Sequence, residues 1–196
     1  MKRVCITASM GSGKSFITKE FSKLGVPTLL MDEVAKLVQV KYLDLIQKLK
    51  ERFTEGYPNG ILDKPKMREL LFFDKTGQNL KDMSDLIKPY LFIELENFYK
   101  ENSDKPIVIV ESALVFEYNL QNNFDKIIFV NSDPQLRKQK ALERDRITSE
   151  EYDNRMKNQL SDEFKITNSD FIINNDFTFN VVGEVKKLYR ILSKSE

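Results

Sequence analysis

Short apolar runs alternate along this chain with longer segments whose apolar residues recur at helical spacing. The first run, residues 4–7, is followed by Ile17, Phe21 and Leu24, which would lie on one face of a helix. This alternation is typical of buried parallel strands connected by helices, and it predicts an α/β fold with a parallel sheet. The other predicted strands are residues 26–31, 107–110, 127–130 and 171–173.

The stretch between the second and third predicted strands is mainly helical in pattern. Asp32 and Glu33 would begin a helix that reaches about Lys50, because acidic side chains stabilise the positive N-terminus of a helix. Residues 50–104 then combine helical spacing with turns that contain glycine and proline, and Pro89 would separate two of the helical parts. We therefore expect a helical insert over this segment.

A phosphate-binding motif follows the first predicted strand. Residues 11–15 read Gly-Ser-Gly-Lys-Ser and match the end of the P-loop pattern G-x-x-x-x-G-K-[ST], although Ala8 stands where the pattern has its first glycine. In such a loop, backbone N–H groups bind phosphate, the lysine reaches the outer phosphates and the hydroxyl joins the Mg²⁺ shell. An ordinary Gly/Ser turn is the alternative. The residues expected to bind ATP here are Met10, Gly11, Ser12, Gly13, Lys14, Ser15 and Phe16, with Ser15 as the Mg²⁺ ligand.

A basic segment follows the fourth predicted strand. Asp133 and Pro134 predict an N-cap and the first residue of a helix, and residues 148–151 form a capping-box pattern that begins another helix. In a kinase, arginines on a closing helix pair neutralise charge on the transferred phosphate, so residues 134–160 are predicted to form a lid. A solvated helix face with paired charges is the alternative. The basic residues of the first helix are Arg137, Lys138, Lys140, Arg144 and Arg146.

Composition narrows the class of protein. The chain has 196 residues, of which 41% are hydrophobic and 31% charged, and its net charge is +1, so bulk charge does not suggest a nucleic-acid partner. It has no histidine, which leaves Asp, Glu, Lys or Tyr for acid–base chemistry. The single cysteine, Cys5, is expected to be a buried, inert thiol. We predict one P-loop kinase domain over residues 1–196, in the cytoplasm and without a membrane partner, with a monomer as the default state.

Several short motifs occur in a fixed order along nearly the whole chain. They lie at residues 7–15, 24–27, 32–36, 60–64, 67–74 and 113–125, and at Arg144, Asp145, Arg155, Gln159 and Asn174. Their order and spacing resemble those of the dephospho-CoA kinase family, whose members phosphorylate the ribose 3′-hydroxyl of dephospho-CoA with ATP. The resemblance implies a three-layer P-loop NTPase fold, with residues 50–104 as a helical substrate-binding insert, and it implies the last step of coenzyme A synthesis.

The chain departs from the family pattern at a few positions and would be a divergent member. Leu30 replaces the first aspartate of the family's D-A-D motif, which leaves Asp32 as the carboxylate after the second strand. Lys64 and Lys140 replace arginines, which keeps the charge but loses the planar, bidentate guanidinium. The remaining substitutions are Ala8 for glycine, Lys88 for histidine and Ala113 for proline.

The resemblance and the predicted topology together suggest roles for individual residues. Ligands of open α/β sheets collect at the carboxyl ends of strands, where Asp32 would orient and deprotonate the acceptor, unless it serves only as a helix N-cap. Lys14 would hold the outer phosphates of ATP, and Arg144 with Lys140 would stabilise the transferring group. Glu111 has a second possible role near the metal, through water. The candidate substrate contacts are Asp32, Arg68, Lys88, Glu111 and Glu117, and the nucleotide contacts outside the P-loop are Arg144 and Asn174.

Two other functions fit part of this pattern. A different small-molecule P-loop kinase, acting on a nucleoside or a (deoxy)nucleoside monophosphate, would use the same loop and lid with a different insert. A nucleotide-dependent switch without phosphoryl transfer would fit the loss of the first P-loop glycine and of the first aspartate. Acceptor-dependent release of ADP separates these functions, because a switch would hold or hydrolyse the nucleotide without an acceptor.

Overall fold

A computed structural model describes residues 1–177 and 181–194. In this part of the chain, five parallel strands form one sheet with the order β2-β3-β1-β4-β5. The predicted parallel α/β sheet is therefore confirmed. Its strands are β1 (Lys2–Ala8), β2 (Thr28–Leu30), β3 (Ile107–Glu111), β4 (Lys126–Asn131) and β5 (Phe171–Asn174).

Helices connect these strands and fill the long segment between β2 and β3. Three short 3₁₀ turns accompany them at Thr54–Gly56, Pro58–Gly60 and Gln121–Asn123. The helices are α1 (Lys14–Lys23), α2 (Met31–Lys41), α3 (Leu43–Arg52), α4 (Lys64–Phe72), α5 (Gln78–Glu101), α6 (Pro134–Asp145), α7 (Ser149–Met156), α8 (Asp162–Thr167) and α9 (Val181–Leu192).

The described chain divides into two compact units. The first unit comprises Met1–Leu30 and Tyr99–Glu196 and contains the sheet, and the second comprises Met31–Phe98 and contains α2, α3, α4 and most of α5. All the regular secondary structure described in the second unit is helical. The sequence pattern predicts this for most of the unit.

The prediction of one helix from Asp32 to about Lys50 is wrong. The structure has two helices, α2 and α3, because Tyr42 between them has an extended backbone with φ −103° and ψ 106°. The Tyr42 hydroxyl donates a hydrogen bond to Glu94 at 2.7 Å, and its ring lies 4.9 Å from that of Tyr90. These contacts with α5 accompany the break, and no local sequence pattern encodes them.

The sequence pattern predicts that Pro89 separates two helical parts, and this prediction is wrong. Pro89 lies inside α5, which is continuous from Gln78 to Glu101. A proline inside a helix removes one backbone hydrogen bond and costs about 3 kcal/mol. Met83, Ile87 and Tyr90 are buried along one face of α5 at helical spacing, so packing of this face offsets that cost.

The core of the first unit lies between the sheet and two helices. Ile17 and Phe21 of α1, together with Val185 of α9, pack against apolar strand residues such as Ile6 and Ile128. All five side chains are almost completely buried. The strands closest to the centre of the sheet therefore fix the position of α1, whose N-terminus follows the P-loop motif.

Cys5 lies on the opposite face of the sheet. It is fully buried against Val115, Phe116 and Ile127. This burial raises the pKa of its thiol far above the ordinary value, because a thiolate would have to form away from water. The expectation of a buried thiol is confirmed. Among the described residues, none of the helices combines the length and the apolar character needed to cross a membrane.

We predict that truncation of a core strand residue destabilises the protein much more than truncation on the edge strand. Ile128 of β4 is fully buried, whereas Ile172 of β5 is 37% exposed. Ile128→Ala should lower the free energy of unfolding by about 2–5 kcal/mol, because it leaves a cavity, and Ile172→Ala should lower it by about 1 kcal/mol or less. Chemical denaturation of both variants measures the difference, and equal losses would contradict this description of the core.

Candidate active site

The phosphate-binding motif forms a tight loop between β1 and α1. Gly11 and Gly13 have φ values of 87° and 82°, in the left-handed region that glycine adopts without strain. Ala8 is still the last residue of β1, paired with Val130 in the sheet. It therefore does not need the positive φ that would call for glycine, which explains how this chain accommodates the departure from the pattern.

Neighbouring segments approach both loop glycines closely. A Cβ atom at Gly11 would overlap the backbone carbonyl of Arg137, and one at Gly13 would overlap the side-chain amide of Asn175. That amide donates a hydrogen bond to the carbonyl of Ser12 at 2.9 Å. The two glycines are thus required by close packing as well as by backbone conformation.

Three of the predicted site residues meet at the start of α1. The Oε1 atom of Glu111, the last residue of β3, accepts hydrogen bonds from Lys14 Nζ and, at 2.8 Å, from Ser15 Oγ. The Glu111 side chain is only 4% exposed. Its second oxygen, Oε2, is buried and has no hydrogen-bond partner among the described residues. A carboxylate that stays charged here needs another cationic or hydrogen-bonding neighbour.

This arrangement fits a magnesium ion. Mg²⁺ prefers oxygen ligands and is usually held by one or two protein groups together with phosphate oxygens and water. The Ser15 hydroxyl and the Oε2 atom of Glu111, which has no partner in the described part of the chain, supply such oxygens on two side chains in contact. The donor set is therefore suitable for Mg²⁺ bound with a nucleotide, in which Glu111 could take part directly or through water.

The segment between α7 and α8 holds the first half of the loop. The backbone N–H of Met10 donates to Gln159 Oε1 at 3.2 Å, and Ser9 Oγ donates to Asp162 Oδ1 at 2.5 Å. The other oxygen of Asp162 pairs with Arg137 of α6. These contacts connect Ser9 and Met10 to the segment that leads into α8. Ser9, Asp162 and Asn175 are not among the site residues predicted from the sequence, although Ser9 and Gln159 both lie in the family-like pattern.

The predicted lid helices begin as their caps indicate. Asp133 accepts hydrogen bonds from the backbone N–H groups of Gln135 and Leu136, and Thr148 with Glu151 forms the predicted capping box. The basic residues of α6 differ in their surroundings, however. The Arg137 side chain is 8% exposed and belongs to the support of the loop, so it is not a residue of the exposed helix face.

Arg144 and Lys140 lie on the exposed part of α6. The Arg144 guanidinium, 60% exposed, donates two hydrogen bonds to the Asp145 carboxylate, at 2.8 and 2.9 Å. These bonds, with smaller help from the charge of Arg155, hold the pKa of Asp145 below its ordinary value. Lys140 Nζ lies 6.0 Å from the ring centroid of Phe177, a residue close to Gly13. Lys140 thus lies near a residue that is close to the loop.

Two other predicted residues have internal partners. Asn174, at the end of β5, accepts a hydrogen bond from the Asn131 side chain at 3.0 Å, whereas its neighbour Asn175 contacts the loop. Glu117 forms an ion pair of 2.8 Å with the fully buried Lys165. These contacts lie within the protein, so the predicted contact of Glu117 with the substrate stays a prediction.

Three predicted substrate residues belong to the second unit. Asp32 is exposed in the first turn of α2, directly after β2. Arg68 is exposed on α4, and Lys88 is half-buried on α5. Their predicted roles toward an acceptor stay predictions.

Comparisons with known proteins agree with this architecture. The family model for dephospho-CoA kinase matches residues 2–180. The dephospho-CoA kinase of Aquifex aeolicus is 27% identical over 197 residues, which cover 99% of each chain. That of Mannheimia succiniciproducens is 32% identical over 186 residues, which cover 92% of this chain and 84% of the relative. The crystal structure of TT1252 from Thermus thermophilus has the same fold, with a TM-score of 0.86, 23% identity and coverage of 99% and 98%.

We predict that Gly13→Ala strongly weakens nucleotide binding, whereas Gly25→Ala preserves it. Both glycines have nearly the same φ, 82° and 81°, but nothing lies within 4 Å of a Cβ at Gly25. Gly25→Ala should therefore show only the backbone cost, about 1 kcal/mol of stability. Gly13→Ala adds the overlap with Asn175 and should also raise the Kd for Mg-ATP at least roughly a hundredfold. Equilibrium binding and thermal unfolding of both variants test this, and similar ATP affinities would contradict it.

Proposed function

Because the chain belongs to the dephospho-CoA kinase family, we propose that it transfers the γ-phosphoryl group of ATP to the ribose 3′-hydroxyl of dephospho-CoA and forms coenzyme A. The resemblance inferred from the sequence motifs is confirmed by the family match over residues 2–180. The observation that supports the chemistry best is the contact of Lys14 and Ser15 with the buried carboxylate of Glu111. Lys14 and Ser15 directly follow the loop, and the Glu111 carboxylate that they contact has a second oxygen without a partner among the described residues.

The loop would bind the ATP phosphates. The positive φ values of Gly11 and Gly13 allow backbone N–H groups to turn toward an anion, and α1 begins immediately after Gly13. Lys14 would contact the β- and γ-phosphates, either in place of Glu111 or while keeping its contact with Glu111. Met10, Ser12 and Phe16 would complete this set through their backbones.

Ser15 and Glu111 are the groups proposed to hold Mg²⁺. When bound with the nucleotide, the ion would neutralise negative charge on the outer phosphates. From the sequence, Glu111 is expected either to contact the substrate or to act near the metal through water, and the second role is the one proposed here. The Glu111 carboxylate also keeps Lys14 oriented before ATP binds, since the two side chains are in contact.

Asp32 is the proposed group that orients and deprotonates the acceptor hydroxyl. It is a carboxylate at the carboxyl end of a parallel strand, where substrates of α/β proteins bind. The chain has no histidine, so a carboxylate is a suitable base for a hydroxyl. Arg68 and Lys88, both cationic, are proposed to contact the phosphate groups of dephospho-CoA.

Arg144 and Lys140 are proposed to stabilise the transferring phosphoryl group. The charge of this group spreads over its oxygens during transfer, and cations placed around it lower the barrier. Arg144 would have to leave Asp145 or bind phosphate with the remaining donors of its guanidinium. Residues 134–160 would act as a lid in this step, and Asn174 with Asn175 would line the nucleotide side.

The alternative acceptors are not favoured. A nucleoside or nucleoside monophosphate kinase would share the loop and the lid, but the family match covers most of the chain, including the second unit. A switch without phosphoryl transfer is also less consistent with this family. A cytoplasmic location and a monomeric state stay predictions.

The acceptor can be identified by measuring ADP release from Mg-ATP. We expect release to depend on dephospho-CoA and not on nucleosides or nucleoside monophosphates offered separately. The product should carry the new phosphate on the ribose 3′-oxygen, which NMR or mass spectrometry can verify. Stimulation by a nucleoside alone would overturn the acceptor assignment, and release without any acceptor would favour the switch.

Asp32→Asn should lower kcat by about 10²–10⁴-fold, because the amide cannot accept the hydroxyl proton. The Kd for Mg-ATP should stay unchanged. Glu33→Gln is the matched control, since Glu33 is the next residue of α2 and is also exposed. Steady-state kinetics and ATP binding of both variants test the role, and near-native turnover of Asp32→Asn would refute it.

A further inference from the structure

We propose that the buried ion pair of Glu117 and Lys165 is a positioning device for the nucleotide loop. Glu117 follows β3 and Lys165 lies on α8, and their charged atoms are 2.8 Å apart. Among the described residues, no hydrogen bond or ion pair joins either side chain to the loop. Both act through the segment between α7 and α8, which does touch it. This inference rests on the proposed binding of ATP at the loop and concerns how that site keeps its shape.

The pair is buried to a degree that is unusual for its chemistry. Lys165 is 0% exposed and the side chain of Glu117 is 9% exposed. The Oε2 atom of Glu117 is buried without a hydrogen-bond partner among the described residues. Such a pair loses the hydration of two charges and is often no better for stability than two apolar residues of similar size. Its arrangement therefore calls for a reason other than stability.

The reason is given by the other contact of the same carboxylate, with a backbone N–H group. The backbone N–H of Leu160 donates a hydrogen bond to Glu117 Oε1 at 3.0 Å. The Glu117 oxygen that forms the ion pair with Lys165 therefore also accepts a hydrogen bond from the backbone between α7 and α8. A second contact supports the same segment, since the rings of Phe116 and Phe164 meet edge to face at 5.8 Å. Phe116 and Glu117, which follow β3, thus contact Phe164 and Lys165 of α8.

The fixed segment carries the residues that shape the first half of the loop. Gln159, next to Leu160, accepts the hydrogen bond from the Met10 backbone at 3.2 Å. Asp162, two residues after Leu160, accepts the hydrogen bond from Ser9 at 2.5 Å. A shift of Leu160 would move both acceptors together and change the direction of the loop N–H groups. The charge pair is thereby connected to the phosphate site through backbone and hydrogen bonds.

This assignment gives Glu117 a role different from the substrate contact proposed from the sequence. A substrate contact predicts an effect on dephospho-CoA, because the carboxylate would touch it. A positioning role predicts an effect on ATP, because Glu117 acts through Leu160 and Gln159 on Met10. The two roles can therefore be separated by measuring nucleotide and acceptor binding independently.

The decisive variant is the double substitution Glu117→Met with Lys165→Met. Two methionines fill the space with flexible apolar side chains and leave no buried charge, so the protein should remain folded. The Leu160 N–H nevertheless loses its acceptor. We expect a melting temperature close to that of the unmodified protein but a Kd for Mg-ATP raised on the order of tenfold. The KM for dephospho-CoA should change by less than about twofold, because in this proposal neither Glu117 nor Lys165 contacts dephospho-CoA.

A variant at the other end of the connection keeps the test independent of the buried pair. Gln159→Ala removes the contact with the Met10 backbone and should also raise the Kd for Mg-ATP. Combined with the methionine pair, it should add little, because both changes break the same connection. Lys105→Met is the control for loss of a lysine, since Lys105 pairs with Asp104 on the surface and is 45% exposed. It should leave ATP binding unchanged.

Three results would overturn the proposal. An unchanged ATP affinity in the folded methionine variant would mean that the pair does not position the loop. A raised KM for dephospho-CoA with unchanged ATP affinity would show that Glu117 contacts the acceptor. Independent, multiplying effects of the methionine pair and Gln159→Ala would show that no connection joins them. ATP binding is measured without acceptor, so a failure to phosphorylate dephospho-CoA would refute the proposed function and leave this test intact.

Discussion

The buried carboxylate of Glu111 is the group on which the arrangement of the proposed nucleotide site depends. Parallel pairing places Glu111 opposite Ile6, so it ends β3 at the edge of the sheet where the chain leaves β1. A carboxylate that is only 4% exposed is costly without partners, and Lys14 and Ser15 provide two of them. The first turn of α1 is therefore tied to the neighbouring strand. The register of the sheet thus fixes where a cation and a hydroxyl stand relative to the loop.

The two glycines of the loop depend on close packing against other segments. Gly11 approaches the carbonyl of Arg137, and Gly13 approaches the amide of Asn175, which bonds to a loop carbonyl 163 residues away in sequence. Any side chain at either glycine would displace these neighbours. The loop and the first turn of α1 are consequently held by the Glu111 carboxylate, through Lys14 and Ser15, and by close contacts with Arg137 and Asn175.

The two compact units contain different parts of the proposed chemistry. The loop, Glu111 and the basic helix α6 belong to the first unit, which contains the sheet. Asp32, Arg68 and Lys88, the residues proposed to act on the acceptor, belong to the helical second unit. A kinase of this kind can keep its nucleotide machinery on a rigid sheet while a separate helical part selects the acceptor, because phosphoryl transfer relies mainly on positioning and charge.

The sequence by itself determined the elements that local pattern controls. Apolar runs located all five strands of the described sheet, and Asp133 and Thr148 correctly marked the starts of two helices. The P-loop and the family were also readable, because both depend on residues close together or in fixed order. Only the tertiary structure decided the break at Tyr42, the role of Asn175 and the pairing of Glu117 with Lys165. These features arise where segments distant in sequence pack together. The spacing of residues along the chain does not indicate which of these segments will be in contact.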